Sequence, residues 1–308
     1  MFRLQALAVA ALISFAAGDP VLAQKPSNGA GGPNVENGKY IYYAGGCASC
    51  HAAPASNSCE DLKAKDELNP VGGRCLKTDF GTFYVPNITP DKETGIGGWS
   101  SEDFIKAMTT GTSPKGENYY PAFPYASYQK MTRSDLLDLW AFLQTIGPVG
   151  STVPAHDLSF PYYIRRGLGL WKSLYLDGET FTPDPSKSAQ VNRGAYLVEG
   201  PGHCGECHTP RTSLGGMNAD KKMAGSPNPD GKGFIPNITP DETGIGSWSA
   251  KDISYALQSG FKPDGDVMGG QMAKVQRNMA ELTPEDRDAI AAYLKSIPPV
   301  ENARPKKN

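Results

Sequence analysis

The chain has 308 residues, with 30 Lys and Arg against 32 Asp and Glu, for a formal net charge of −2. That balance leaves no basic field to grip a phosphate backbone, so nucleic acid is excluded as a partner. Six cysteines would make three disulfides in an ordinary exported chain, but their spacing points elsewhere.

Residues 1–23 begin with Arg3, run through apolar residues from Leu4 to Ala17 and end on Val21-Leu22-Ala23, the small-x-small pattern that signal peptidase reads. This predicts a signal peptide over 1–23, a mature chain starting near Gln24 and delivery to the periplasm. Gly18, Asp19 and Pro20 break the run before it reaches the roughly 18 to 20 apolar residues of a spanning helix. No later stretch is longer or more apolar, so membrane association is expected only through a partner.

The rest of the chain is written twice. PNITPDKETGIGGWSSEDF at 86–104 returns as PNITPDETGIGSWSAKDI at 236–253, and TRSDLLDLWAFLQTIGPV from Thr132 is answered by TPEDRDAIAAYLKSIPPV from Thr283. In chain order, each copy predicts a short helix around Gly38-Lys-Tyr40 or Gly194-Ala-Tyr196, then Cys-x-x-Cys-His. A Gly/Pro-rich stretch, the PNITPD segment, a helix after Trp99 or Trp248, a loop and a closing helix follow. The closing helices carry start signals resembling capping boxes, Thr132 with Asp135 and Thr283 with Asp286, and Pro284 suits the first helical position. Leu136, Leu139, Trp140 and Leu143, like Ile290, Tyr293, Leu294 and Ile297, recur at helical spacing and give each helix one apolar face.

Between the copies, residues 148–190 are rich in Pro, Gly and aromatics. They predict an ordered connector packed across both units, with a short helix around Arg165 to Leu176 and its aromatics buried as interdomain core.

The chemistry resides in Cys47-Ala-Ser-Cys50-His51 and Cys204-Gly-Glu-Cys207-His208. Two thiols at this spacing reach both vinyl groups on one edge of a porphyrin, and the histidine that follows turns under the ring to bind iron. One match per copy predicts two covalently attached haem c groups. A zinc ion held by Cys47, Cys50, Cys204 and Cys207 would satisfy tetrahedral sulfur ligation but leaves both histidines without a role. A thioredoxin-like pair would need a strand-then-helix setting that neither motif has.

Cys59 and Cys75 remain, both in the first copy, where the interval from His51 to Pro86 is longer than that from His208 to Pro236. A loop insertion closed by a Cys59–Cys75 disulfide accounts for them, and a thiolate on iron is the alternative. The sixth iron ligand of an electron-transfer haem is ordinarily Met or a second His. Met272, flanked by Met268 and Met279, lies in the loop before the second closing helix and is assigned to the second haem. The matching first loop, YYPAFPYASYQKM, offers Met131. His203 adjoins Cys204 too closely to reach the opposite ring face, leaving His156 as the one imidazole alternative.

NRGAYLVEGPGHCGECHTPRTSLGG and the two PNITPD segments resemble the cytochrome c subunits of bacterial membrane-associated alcohol, gluconate and aldehyde dehydrogenases, over nearly all of residues 35 to 300. The resemblance implies a mostly α fold of two tandem class I cytochrome c domains, at 35–147 and 191–300, joined by the connector at 148–190. It implies a periplasmic dehydrogenase as electron donor and a respiratory-chain acceptor. Many such subunits carry three haem motifs; this chain has two and ends at Asn308 after Arg304-Pro-Lys-Lys. Some relatives place Met where Phe123 stands in Pro121-Ala-Phe-Pro-Tyr125. That departure keeps a competing reading open: a diheme peroxidase or thiosulfate dehydrogenase with an open or Cys-ligated haem. No set of acid–base residues flanks either motif to support it.

Overall fold

The computed structural model of the chain describes residues 32–56, 59, 68–229 and 233–304; the signal peptide expected over 1–23 lies outside them. The chain is mostly helical. Its first half runs α1 (Val35–Ala44), α2 (Cys47–His51), strands β1 (Cys75–Thr78) and β2 (Gly81–Tyr84), α3 (Ser101–Thr110), α4 (Tyr125–Tyr128) and α5 (Arg133–Thr145). Strand β3 (Asp157–Leu158) and α6 (Gly167–Tyr175) follow. The second half runs α7 (Ala189–Glu199), α8 (Gly205–His208), β4 (Ser226–Pro227), β5 (Phe234–Ile235), α9 (Ala250–Ser259), α10 (Gly270–Ala280) and α11 (Pro284–Ser296).

Each half is built on a crossed pair of helices, α1 with α5 and α7 with α11. The crossings are so close that only glycine fits: a Cβ on Gly38 would lie 1.9 Å from the Asp138 carbonyl oxygen, and one on Gly194 would lie 1.9 Å from that of Ala289. Around the first crossing Ile41, Tyr42, Leu136, Leu139 and Leu143 are buried, and around the second Leu197, Val198, Ile290, Ala291 and Leu294. Each large aliphatic side chain withdrawn from water here contributes roughly 2 kcal/mol.

Helix starts follow local chemistry. Ser100 and Ser249 cap α3 and α9 in full reciprocal boxes with Asp103 and Asp252, a signal that lies in plain view in SWSAKD and GWSSED. At α5 and α11 only half of the predicted box forms. Thr132 and Thr283 accept the Asp135 and Asp286 N–H groups, but neither carboxylate returns to its cap. Both are drawn instead to partners arriving from α1 and α7. The Tyr40 hydroxyl donates to Asp286 Oδ2 at 2.5 Å and accepts from the Thr283 N–H. The Tyr196 hydroxyl does the same with Asp135 and the Thr132 N–H. The two halves therefore exchange equivalent contacts across a pseudo-twofold seam, and within the second half Arg193 holds Asp286 in a two-pronged pair at 2.7 and 2.9 Å.

The duplicated PNITPD segment works as a clamp. The Asn87 amide and the Thr89 hydroxyl both donate to the Val149 carbonyl at the end of the first half, and Asn237 and Thr239 repeat this on Val300.

Two regions depart from expectation. The long stretch after His51 is not merely Gly/Pro-rich: β1 and β2 form an antiparallel hairpin with Cys75 opposite Tyr84, and β3 extends it along Gly81 and Thr82. Most aromatics of 148–190 are not core: Phe160, Tyr162 and Tyr163 are exposed, whereas Phe181 packs against the second core beside Tyr196. No residue of α6 is buried, and the helix is held by polar atoms instead. Lys172 Nζ donates to the Gly111 carbonyl and to Asn118 Oδ1, Trp171 Nε1 to the Leu214 carbonyl, and the Tyr175 hydroxyl bonds Thr212. Its stripe of leucines is left facing outward.

Candidate haem centres

In the first motif a short helical turn sets Cys47, Cys50 and His51 at positions i, i+3 and i+4, which lie on one helical face. Cys204, Cys207 and His208 have the same spacing about α8. A left-handed residue aims each turn away from the helix before it. In the first half this is Gly46, at φ 55°; in the second it is His203, at φ 38°, a conformation that costs a non-glycine residue energy. The sequence gives no local sign of this role for His203. Its ring explains the choice: Nε2 donates to the Gly45 carbonyl across the seam at 3.2 Å, and the ring stands edge-on to Tyr128.

Hydrogen bonding fixes the tautomers. A carbonyl oxygen can only accept, so His51 Nδ1, 2.9 Å from the Pro86 oxygen, and His208 Nδ1, 2.8 Å from that of Pro236, must carry protons. Each Nε2 is then left with a lone pair, the form in which imidazole binds iron. Burial pushes the His51 pKa down to about 4 and also lowers that of His208, keeping both rings neutral. The proline of each PNITPD segment thus supplies the carbonyl that orients the histidine. His156 has the opposite pattern. Its Nδ1 accepts from the Tyr84 N–H, so Nε2 carries the proton and is not available to a metal. This arrangement speaks against His156 as the sixth ligand of the first haem.

All four motif cysteines have free sulfurs. Burial raises their pKa values, to about 12 for Cys47 and Cys204 and about 11 for Cys207, so they rest as thiols. In each motif an exposed thiol, Cys50 or Cys207, and a half-buried one, Cys47 or Cys204, stand with an imidazole whose Nε2 is available, which fits a thioether-linked haem. Zinc does not fit: among the described residues no three His, Cys, Asp or Glu side chains converge on a common point.

The methionines sit differently. Met272 opens α10, half-buried against the second core together with Cys204. Met131 is 2% exposed in the first core, in the cluster that also takes in Cys47, Ala48, Phe123 and Tyr128. The backbone bond from Tyr119 N to Gly111 O corresponds to that from Met268 N to Gly260 O, which makes Phe123 the positional counterpart of Met272. Met131, directly before the Thr132 cap, corresponds to Leu282. Cys59 and Cys75 lie at disulfide distance with Cα atoms 5.0 Å apart, which takes both sulfurs away from iron ligation.

The motifs meet at the seam. Asn278 on α10 donates to Ser49 Oγ inside the first motif, and Arg74 bridges the Ser49 carbonyl to Gln271. Ser127 on α4 donates to Glu206 inside the second motif. Each half thus lays its distal segment on the attachment loop of the other.

Comparison with known proteins agrees with this chemistry. The family model described as cytochrome c matches residues 35–147 and 191–298. A diheme cytochrome c-type protein of Cereibacter sphaeroides is 51% identical over 267 residues, 87% of each chain. The cytochrome c subunit of a quinone alcohol dehydrogenase from Gluconacetobacter polyoxogenes is 37% identical, over 97% of this chain and 62% of its own. The fructose dehydrogenase cytochrome subunit of Gluconobacter japonicus is 35% identical, over 86% of this chain and 53% of its own. The chain thus spans between about half and two thirds of the length of these dehydrogenase subunits. With both motifs inside the matched segments and each histidine set for iron, the chain belongs to the cytochrome c family.

Proposed function

We propose that the protein is a periplasmic electron carrier with two haem c groups, which takes electrons from a dehydrogenase partner and delivers them to a respiratory acceptor. It is organised as two tandem class I cytochrome c domains, 35–147 and 191–300, with 148–190 as connector. The observation that carries this reading is the pair of histidines whose Nδ1 protons are each committed to a PNITPD carbonyl, duplicated with the Cys-x-x-Cys-His motifs around them. Names of relatives, a diheme cytochrome and cytochrome subunits of dehydrogenases, support the electron-transfer role and the donor class.

Haem c supplies a one-electron iron couple. The chain's part is to hold two such groups and set their potentials. Cys47 and Cys50 would hold one haem and Cys204 and Cys207 the other through thioether links, with His51 and His208 as iron ligands through Nε2 and Met131 and Met272 as the sulfur ligands. Ser49 and Glu206, inside the two attachment loops, both lie at the seam between the halves.

The test is the weak sulfur-to-iron charge-transfer band of the oxidised protein, measured in wild type, Met131→Ala and Met272→Ala. Loss of about half the band in each variant is expected for two His/Met haems. A second reading, a diheme redox enzyme with an open first haem, draws on Phe123 standing where the second half has Met272. Cyanide binding to one haem of the wild type, with no spectral change in Met131→Ala, would establish that reading instead.

A further inference from the structure

Six exposed large hydrophobic side chains, Phe160, Tyr162, Tyr163, Ile164, Leu170 and Leu174, belong to the connector. Phe160, Tyr163, Ile164, Leu170, Leu174 and Leu214 are all exposed, Phe160 at 74%, Leu170 at 70% and Leu214 at 62%. Phe160 stands 6.1 Å from Tyr163 between ring centroids, and neighbouring residues link this group to both halves. Tyr162 packs edge-on against Phe80 at 4.8 Å between centroids, a Cβ on Gly215 would lie 3.8 Å from the end of the Phe80 ring, and Trp171 is tied to the neighbouring Leu214 carbonyl. Scattered exposed leucines need no explanation, but a contiguous aromatic and aliphatic patch marks a surface that something covers.

Charge and shape point to one occupant. From Leu158 to Leu176 the chain has Arg165, Arg166 and Lys172 and no Asp or Glu, although 32 acids are spread over the whole. Leu170 and Leu174 lie one turn apart on α6, opposite the Lys172, Trp171 and Tyr175 bonds that fasten the helix down. A helix with no buried residue is a ridge rather than a groove, and a ridge of Leu, Phe and Tyr flanked by arginine suits a deformable, negatively charged boundary. We propose that this connector face is a peripheral docking surface for an anionic lipid bilayer, with the apolar side chains entering the headgroup boundary and the exposed Arg166 facing lipid phosphates, while Arg165 is held inward by the Asn118 carbonyl and the Tyr120 ring. No helix among the described residues is long and apolar enough to cross a membrane, so attachment here is interfacial. The proposal does not depend on the identity of donor or acceptor, and it replaces the expectation that membrane attachment is only borrowed.

The test is co-sedimentation of the haem-loaded protein with vesicles of phosphatidylglycerol and phosphatidylethanolamine, beside vesicles of phosphatidylcholine alone. Binding to the anionic vesicles that weakens with salt is expected, with the bound fraction falling about tenfold or more in Leu170→Glu/Leu174→Glu. Both positions are on the surface, so an unchanged visible spectrum and melting temperature verify that the variant is folded. The proposal is overturned if wild type binds neither vesicle, if the double substitution leaves binding unchanged, or if the substitution instead abolishes a concentration-dependent dimer, which would make the occupant a second copy.

Discussion

The two halves share a skeleton and differ where they would meet the far side of a haem. Crossed helices at Gly38 and Gly194, the PNITPD clamp and the histidine-to-proline-carbonyl bond are common to both. Beyond them, the first half has a cysteine-linked hairpin, a short α4 and Phe123, while the second has the three-turn α10 opening at Met272. What holds a cytochrome's proximal side is therefore fixed by covalent and hydrogen-bond geometry that tolerates little change. The distal segment diverges between the halves, and the distal side is where a haem's potential is tuned.

The largest separation of the halves should come from the thioether cysteines. Cys47→Ala/Cys50→Ala and Cys204→Ala/Cys207→Ala should each lower bound haem from about two per chain to about one, read as the pyridine haemochrome. If either double variant loses both groups, the halves do not mature separately. The shared skeleton is probed next. Gly38→Ala and Gly194→Ala each force a methyl into a backbone carbonyl and should destabilise by about 3 kcal/mol or more, equally in the two halves by thermal melting. Unequal losses would show that one crossing can relax.

The smallest effect concerns the seam. Burial acts to raise the Asp286 pKa, but the Arg193 guanidinium and the Tyr40 hydroxyl outweigh it and hold the carboxyl below its ordinary range. A carboxylate depressed in the folded state stabilises above its unfolded pKa, about 4, and loses that contribution as pH falls through the lower folded value. Asp286→Asn should thus cost about 1 to 3 kcal/mol near neutral pH, and the difference from wild type should disappear in strong acid. A difference that persists at low pH would mean that packing, not charge, holds Asp286 in place.

Much of this was legible in the sequence. Cys-x-x-Cys-His carries its own geometry, and a long repeat with identical PNITPD segments announces two equivalent units. Caps such as Thr132 and Thr283 are set by contacts three residues apart. The roles of Tyr40, Tyr196 and His203 were not legible, because they depend on how one half packs on the other. Gly-x-Tyr recurring before each motif was the available clue: a duplicated tyrosine facing a duplicated Thr-x-x-Asp can exchange partners only across a twofold seam. The connector misled for a related reason. Its aromatics look like core by composition, and only its polar anchors, contributed by Gly111, Asn118 and Leu214, reveal that the apolar side is turned out.

The seam also ties each attachment loop to the other half. Ser49 and Glu206, each inside a Cys-x-x-Cys-His motif, are bonded by Asn278 and Ser127 from the opposite half, and Gly45 is tied to His203. A displacement of either half therefore reaches the attachment loop of the other through these bonds rather than through the connector.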